Sequence, residues 1–430
     1  MSGVPDAANA PWRETIPPHW EVIPGIAAVR KNRRKNIGMK EDTVLSLSYG
    51  RIVIKPPEKL TGLVPESFET YQILDPGYIV IRTTDLQNDW TSLRVGLVKN
   101  CGIITSAYVG LTPSNRFSPE FLYYLLHSYD TKKVFYGMGS GLRQNIGFDD
   151  FKWLPFICPP RPEQDTIVAF LDGKLEAVDR YLRVKEREIA LLNERKRAFI
   201  HRAVTRGLDD TPQRQPSGIP WLPEIPVGWQ ILRLKALIMS SAAGPYGSSL
   251  TKSMYTREGY RVYGQQQVIP NDFSIGDYYI SEEKFQSMRR YEISPRDLLV
   301  SVMGTVGRAA IVPESAERGI INPRLVKYRL DEAKVLPRFI EIAINSSSSQ
   351  EQLSDASKGT TMEGLNMQSL GNLQLPVPPV SVQAIIVKQV DQEAIHIATT
   401  ITRARQQIEK MQEYRTALIA EAVTGKLDLI

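Results

Sequence analysis

The residues of this chain best suited to chemistry are arginines, lysines and glutamines on glycine-loosened loops, and the chemistry they suit is recognition rather than reaction. A guanidinium can pair two-pronged with a guanine edge and an amide with an adenine edge, while lysines and backbone amides hold phosphates. The stretch GSGLRQN (139–145) sets Ser140, Arg143 and Gln144 on such a loop, and VRKNRRKN (29–36) gathers Arg30, Lys31, Arg33, Arg34 and Lys35. Further on, YGQQQ (263–267) offers Gln265 and Gln266, GTVGR (304–308) offers Thr305 and Arg308, and SKGTTMEG (357–364) offers Lys358, Thr360 and Thr361. Tyr246 adds an aromatic face. Taken one at a time, each of these loops is equally an ordinary solvated surface.

Motifs for bond-making chemistry fail one after another. Asp75-Pro76-Gly77-Tyr78 differs from the Asp-Pro-Pro-Tyr site of amino-methylating enzymes, no glycine-rich turn after a first strand supports a methyl-donor pocket, and the segment reads as a turn before the strand YIVIRTT. GMGSG (137–141) lacks the Lys-Ser/Thr ending of a phosphate loop and reads as a flexible loop. His19, His127, His201 and His396 are too scattered for a metal site or a nucleophile–base pair. Cys101 and Cys158 are too few for a disulfide framework or a thiolate zinc site, and both are expected to be small buried apolar residues.

The 430 residues, 42% hydrophobic and 23% charged, suffice for two or more soluble domains. No stretch approaches the roughly 18 apolar residues of a membrane span, and the first residues lack a secretory layout, so a cytoplasmic protein is expected. A net charge of +6 fits a polyanionic partner without naming one.

What must position the loops is a duplication. Shifting the sequence by 219 lays Pro159-Pro160 on Pro378-Pro379, Gln164 on Gln383, Ile167 on Ile386, Asp172 on Asp391, and AVT at 203–205 on AVT at 422–424, without a gap. The same shift lays Pro76 on Pro295, Ile79-Val80 on Leu298-Leu299, and Ile146, Phe148, Phe151 and Leu154 on Leu365, Met367, Leu370 and Leu373. IPPHWEVIP (16–24) answers IPVGWQILR (225–233) at a shift of 209, so the globular parts differ by small insertions. The chain reads A-B-A′-B′.

Each B segment follows a helical rule. Steps of four and three give Leu171, Leu175, Val178, Leu182, Lys185, Ile189, Leu192, Lys196, Phe199 and Ala203 in the first copy. In the second they give Val390, Ala394, Ile397, Ile401, Ala404, Ile408, Met411, Arg415, Leu418 and Ala422. This is a coiled-coil seam. Pro162 suits a first helical turn, Glu163 and Asp165 complement the helix dipole, and Gly207 and Gly425 suit the stops. A seam on a helix of about 40 residues, about 60 Å long, demands a partner, and its own copy is the obvious one. The A segments show short β-type runs such as GRIVIKP, GYIVIRTT, DLLVSVMG and RAAIVP, with helical stretches PEFLYYLLHS and PRFIEIAINSS, which predicts compact α+β domains.

The duplication, the opening PPRPEQDTIVAFLD (159–172), its echo PPVSVQAIIVKQVD (378–391) and the closing LIAEAVTGKLDL (418–429) resemble the specificity subunits of type I restriction-modification systems, over nearly the whole chain from Ile16. The resemblance implies two pseudo-symmetric α+β target recognition domains separated by a long antiparallel two-helix coiled coil. It implies a first recognition domain over 1–157, a central conserved region over 158–210, a second recognition domain over 211–376 and a distal conserved region over 377–430. Each recognition domain would read one half of a split, asymmetric site in double-stranded DNA, through the arginine, lysine, glutamine, threonine and tyrosine residues named above. The helices would pair as a spacer and dock two methyltransferase subunits through Pro159, Pro160, Glu163, Gln164, Leu171, Leu182 and Ile189 and through Pro378, Pro379, Gln383, Ile397, Ile401 and Ile408. By the same resemblance S-adenosylmethionine belongs to the methyltransferase partner and ATP and magnesium to restriction subunits, with no cofactor and no catalytic residue in this chain. One departure is that Glu163 is replaced by Val382, so equivalent contacts at the two helix starts are not assured.

Two other classes stay open on the residues alone. A self-contained DNA methyltransferase or nuclease predicts methyl-donor binding or cleavage by the isolated chain. A coiled-coil scaffold predicts duplex binding no stronger than that of any basic protein, with little preference above a salt-sensitive background.

Overall fold

The computed structural model describes residues 16–56, 58, 67–138, 145–209, 213–358 and 365–429. The chain divides into two compact units, Met1–Glu186 with Arg405–Ile430, and Arg187–Ala404. Each holds one α+β domain with one half of each long helix.

The first α+β domain is built on a four-stranded antiparallel sheet in the order Val29–Lys31, Val109–Pro113, Ile79–Ile81, Val95–Leu97. The second repeats it with Ile238–Ala243, Leu325–Leu330, Leu298–Ser301, Ala309–Ile311, again antiparallel throughout. In both, a strand near the start pairs antiparallel with the strand that leads into the long helix: Glu21–Pro24 with Pro155–Cys158, and Gln230–Arg233 with Gln374–Val377. The repeat reaches single hydrogen bonds, since Gly25 N–H donates to the Leu154 carbonyl at 2.9 Å and Leu234 N–H donates to the Leu373 carbonyl at 2.9 Å. The helical stretches form helices Pro119–Thr131 and Pro337–Ile344, each with proline in its first turn, where its missing N–H costs nothing.

The long helices span Arg161–Arg206 and Val380–Val423. Both end where the sequence places glycine: Gly207 and Gly425 have φ of 84° and 71°, a left-handed conformation that other residues adopt at a cost. A Cβ on Gly425 would also lie 2.4 Å from Pro17 Cδ, because Pro17 and Trp20 pack over that helix end.

None of the seam positions is exposed. Within the first unit the early seam residues Leu171 and Leu175 share a core with Leu418 and Ala422 from the other helix and with Phe121, Leu125 and Phe156 of the domain. Within the second unit Ala203 shares a core with Val390 and with Trp229, Phe339 and Leu375. In each unit the start of one helix meets the end of the other, which makes the pairing antiparallel. Each fully buried leucine or isoleucine there contributes about 1.5–3 kcal/mol.

Two expectations change. Cys158 is buried, but Cys101 is exposed, its Sγ 3.5 Å from a Glu41 carboxylate oxygen and 3.6 Å from one of Asp75; partial desolvation and these carboxylates push its thiol pKa up. Gln265 and Gln266 begin a short helix, Gln265–Val268, rather than a loop, because the buried Gln267 amide accepts from Gly264 N–H at 2.8 Å and closes its first turn. Asp75-Pro76-Gly77-Tyr78 is the turn expected, closed by Tyr78 N–H on the Asp75 carbonyl. Among the described residues no helix is long and apolar enough to cross a membrane, and no group of three or more His, Cys, Asp or Glu side chains could hold a metal ion.

Candidate nucleic-acid interface

In the first unit Arg30 and Lys31 lie on the edge strand of the sheet, and Arg33, Arg34 and Lys35 follow it, all five exposed. Amide side chains shape this strip. Asn32 donates to the Ile73 carbonyl at 2.9 Å, and the fully buried Asn36 takes both the N–H and the carbonyl of Glu41 at 3.0 and 2.8 Å. Arg34 is engaged by Asp75 at 2.5 Å, which takes it out of the set of uncommitted cations. Ser140, Arg143 and Gln144 lie outside the described residues.

In the second unit the loop carrying Thr305 and Arg308 is wound around one buried hydroxyl. Ser301 Oγ donates to the Thr305 carbonyl at 2.7 Å and accepts from Arg308 N–H at 3.0 Å, which leaves both side chains exposed. Gln265 bonds to the same loop: its amide nitrogen donates to the Met303 carbonyl and, at 3.3 Å, to that of Thr305. The structure thus brings Gln265, Thr305 and Arg308 together, with Gln265 in a supporting part. Gln266 and Tyr246 are exposed. Thr360 and Thr361 lie outside the described residues, as does the side chain of Lys358. Sequence reasoning passed over Arg324, which reaches Gln265 at 3.5 Å beside a cleft of about 470 Å³. No motif marks it, because Asn322-Pro323-Arg324 reads as a plain turn.

The residues assigned to partner subunits divide differently. Gln164 and Gln383 are fully buried, and each welds its long helix to its own recognition domain. Gln164 accepts from Ser118 N–H at 2.8 Å and donates to the carbonyls of Arg116 and Pro159 at 2.8 and 2.9 Å. Gln383 repeats this on Leu336 N–H and the carbonyls of Lys334 and Pro378, at 2.8, 3.1 and 2.8 Å. The double prolines serve the same joint: Pro159 and Pro378 are buried, and the carbonyls of Pro160 and Pro379, whose rings are exposed, cap the first helical turns. Glu163 is taken by Trp20 Nε1 at 2.6 Å and His19 Nε2 at 2.9 Å. Leu171, Ile397 and Ile401 are buried in their units, and Leu182, Ile189 and Ile408 are partly buried seam residues. The assignment to partners is therefore corrected for the buried members, because they already have partners within the chain. The large apolar side chains that the described parts of the long helices expose are Val184, Leu191, Ile385, Ile395 and Tyr414, off the seam and so outside the pattern that found it.

Two α+β domains on one repeated frame, each joined to a paired long helix, are an arrangement shared with known proteins. Residues 226–410 match the family described as "Type I restriction modification DNA specificity domain". Residues 226–410 thus resemble a type I restriction-modification DNA specificity domain, and over most of its length the chain is similar to type I specificity subunits. The type I restriction enzyme StySPI specificity subunit of Salmonella potsdam is 23% identical over 331 residues, covering 74% of this chain and 67% of that one. The fold is shared with the HsdS subunit from Thermoanaerobacter tengcongensis, at a TM-score of 0.52 and 17% identity over 96% of this chain and 98% of that one. It is shared more closely with a chain from a structure on complex assembly and conformational transition of the type I R-M system, at a TM-score of 0.71 and 16% identity over 96% and 99%.

Proposed function

We propose that this chain is the DNA-reading subunit of a cytoplasmic type I restriction-modification assembly. Its two recognition domains each read one half of a bipartite, asymmetric target in double-stranded DNA, and the long helices set the spacer between the halves and dock two methyltransferase subunits. Those subunits hold S-adenosylmethionine, restriction subunits use ATP and magnesium, and this chain binds no cofactor.

The observation that carries this reading is one scaffold built twice with different outer faces: the sheet order, the buried glutamine joint and the helix seam repeat, while the exposed cations and amides do not. A pair of readers for two unlike half-sites needs this combination. Val184, Leu191, Ile385, Ile395 and Tyr414 support docking on the helices, since apolar side chains on a solvated helix gain most when a partner covers them.

The test is geometric. Removing one facing heptad from the middle of each long helix shortens the rod by about 10 Å, or about three base pairs. The methylated sites of the assembled complex are expected to keep both half-sites and lose about three base pairs of spacer; an unchanged spacer rejects the ruler.

A further inference from the structure

The second recognition domain holds a cleft of about 470 Å³ beside the Thr305–Arg308 loop. Leu250 and Val262 are its buried apolar part, and Lys252, Tyr255, Gln266, Tyr278, Asn322 and Arg324 face into it. Among the described residues its lining holds two cations and no carboxylate. The larger cleft of the first unit, about 800 Å³, sets Glu120, Asp172, Glu176 and Asp179 against Arg51, Lys99 and Arg415, and so does not favour a polyanion. Charge alone separates the two.

Three consecutive glutamines do three different things here. Gln267 is buried and bonded to Gly264 N–H and to the Ile275 carbonyl. Gln265 donates to the Met303 and Thr305 carbonyls and accepts from Arg324 at 3.5 Å, which ties the cleft to the Thr305–Arg308 loop. Gln266 is exposed and lines the cleft. Arg324 is seated by its own N–H on Asn322 Oδ1 at 2.9 Å, and Asn322 N–H is bonded to the Tyr263 carbonyl at 2.8 Å. Tyr255 and Tyr278 stack at 4.9 Å, forming a stiff aromatic wall.

We propose that this cleft is the base-reading site of the second recognition domain. Arg324 and Gln266 contact base edges of the second half-site, Lys252 holds a neighbouring phosphate, and Gln265 is a positioning residue that fixes Arg324 against the Thr305–Arg308 loop. The guanidinium fork matches the O6 and N7 acceptors of guanine, and the amide matches the donor and acceptor of adenine. The inference rests on the DNA-recognition role proposed above.

The experiment selects preferred sites from randomised duplex DNA with the full chain assembled with its methyltransferase subunits. Failure of the unaltered complex to return a bipartite site counts against the DNA-reading role itself. Once that site is in hand, Arg324→Ala and Gln266→Ala are expected to lower discrimination about tenfold or more at one or two positions of a single half-site. The other half-site stays as it was. Arg324→Lys, which keeps the charge and loses the fork, behaves like Arg324→Ala in discrimination while retaining the melting temperature. Gln265→Ala relaxes the same position as Arg324→Ala, and Gln265→Glu, which keeps an acceptor for Arg324 but loses the donor to the Met303 and Thr305 carbonyls, does not restore it. Lys252→Ala weakens binding to all sequences and lowers the salt slope by about one. An unchanged half-site profile in Arg324→Ala and Gln266→Ala, or a loss spread evenly over every sequence, overturns the assignment.

Discussion

The two recognition domains place an arginine at the same point of the same sheet and use it in opposite ways. Arg82 N–H bonds to the Arg94 carbonyl in the first domain as Ser301 N–H bonds to the Arg308 carbonyl in the second, both at 2.8 Å. Arg94 is fully buried. Its guanidinium donates to the carbonyls of Arg82, Thr84, Asp85 and Asp89 at 2.7–3.3 Å and to Tyr136 Oη at 3.0 Å. Arg308 is exposed. The cause is the loop before each: residues 83–93 in the first domain are long enough to wrap the side chain, and residues 302–307 in the second are not. A frame can thus be copied faithfully while an insertion of a few residues decides whether a cation supports the fold or meets solvent and ligand.

The joint to the helix shows the same divergence more mildly. Asp172 accepts from Tyr124 Oη at 2.5 Å, whereas its copy Asp391 pairs with Arg338 at 2.6 Å, and Arg338 also neutralises the buried Glu341 at 2.8 Å. Asp179 receives Arg51 and Arg415, each at 2.9 Å, while its copy is Ala398.

These differences can be broken or sharpened by substitution. The largest effect is expected from Arg94→Met, which strips partners from four carbonyls around a buried site and should destabilise the first unit by about 4 kcal/mol in urea unfolding. Arg308→Met should leave stability within about 0.5 kcal/mol. Equal effects of the two would end the contrast. Gln164→Ala and Gln383→Ala each orphan a buried N–H and two carbonyls and should each cost about 3 kcal/mol; a cost in one copy alone would show that the joint is not shared.

Next comes pH. Burial pushes the Asp130 carboxyl up to about 6, and burial together with nearby Arg415 pushes the His127 imidazole down to about 4. As pH falls from about 6.5 to 4, the unfolded chain protonates this histidine before the folded one does, so stability is lost. As pH falls from about 6 to 4, folded Asp130 takes its proton before the unfolded chain does, so stability is gained. Each contribution is about 3 kcal/mol and they oppose. Hydrogen exchange of helix Pro119–Thr131 should therefore be nearly flat over this range. Asp130→Asn should make acid loosen the helix, and His127→Gln should make acid tighten it; the copy positions hold Asn345 and Ser348, which do not titrate. A small loss is expected from Asp179→Ala, about 0.5–1 kcal/mol because Arg51 is largely exposed, and Ala398→Asp should bring no matching gain in the second copy.

Much of the frame was legible in the sequence because it rests on periodic and local rules. The seam at steps of four and three, the proline starts and the glycine stops each act within a few residues of where they stand. The duplication multiplied their weight, since Pro159-Pro160 with Gln164 and Pro378-Pro379 with Gln383 recur at one fixed shift. The individual tasks of the side chains were less legible. Glu163, Gln164 and Gln383 read as partner contacts because their hydrogen-bond partners Trp20, Ser118 and Leu336 lie from 46 to 143 residues away. The same holds for Gln265, Gln266 and Gln267, identical in type and adjacent in sequence.

By itself the sequence determined that the chain is a twofold repeat of an α+β domain with a long seamed helix, because backbone periodicity and helix termini are short-range properties. Only the tertiary structure decided which cations and amides face outward: Arg308 and Gln266 do, while Arg94 and Gln267 are buried. Burial and hydrogen-bond satisfaction are set by segments distant along the chain, and a buried polar side chain keeps its place only where those segments supply its partners.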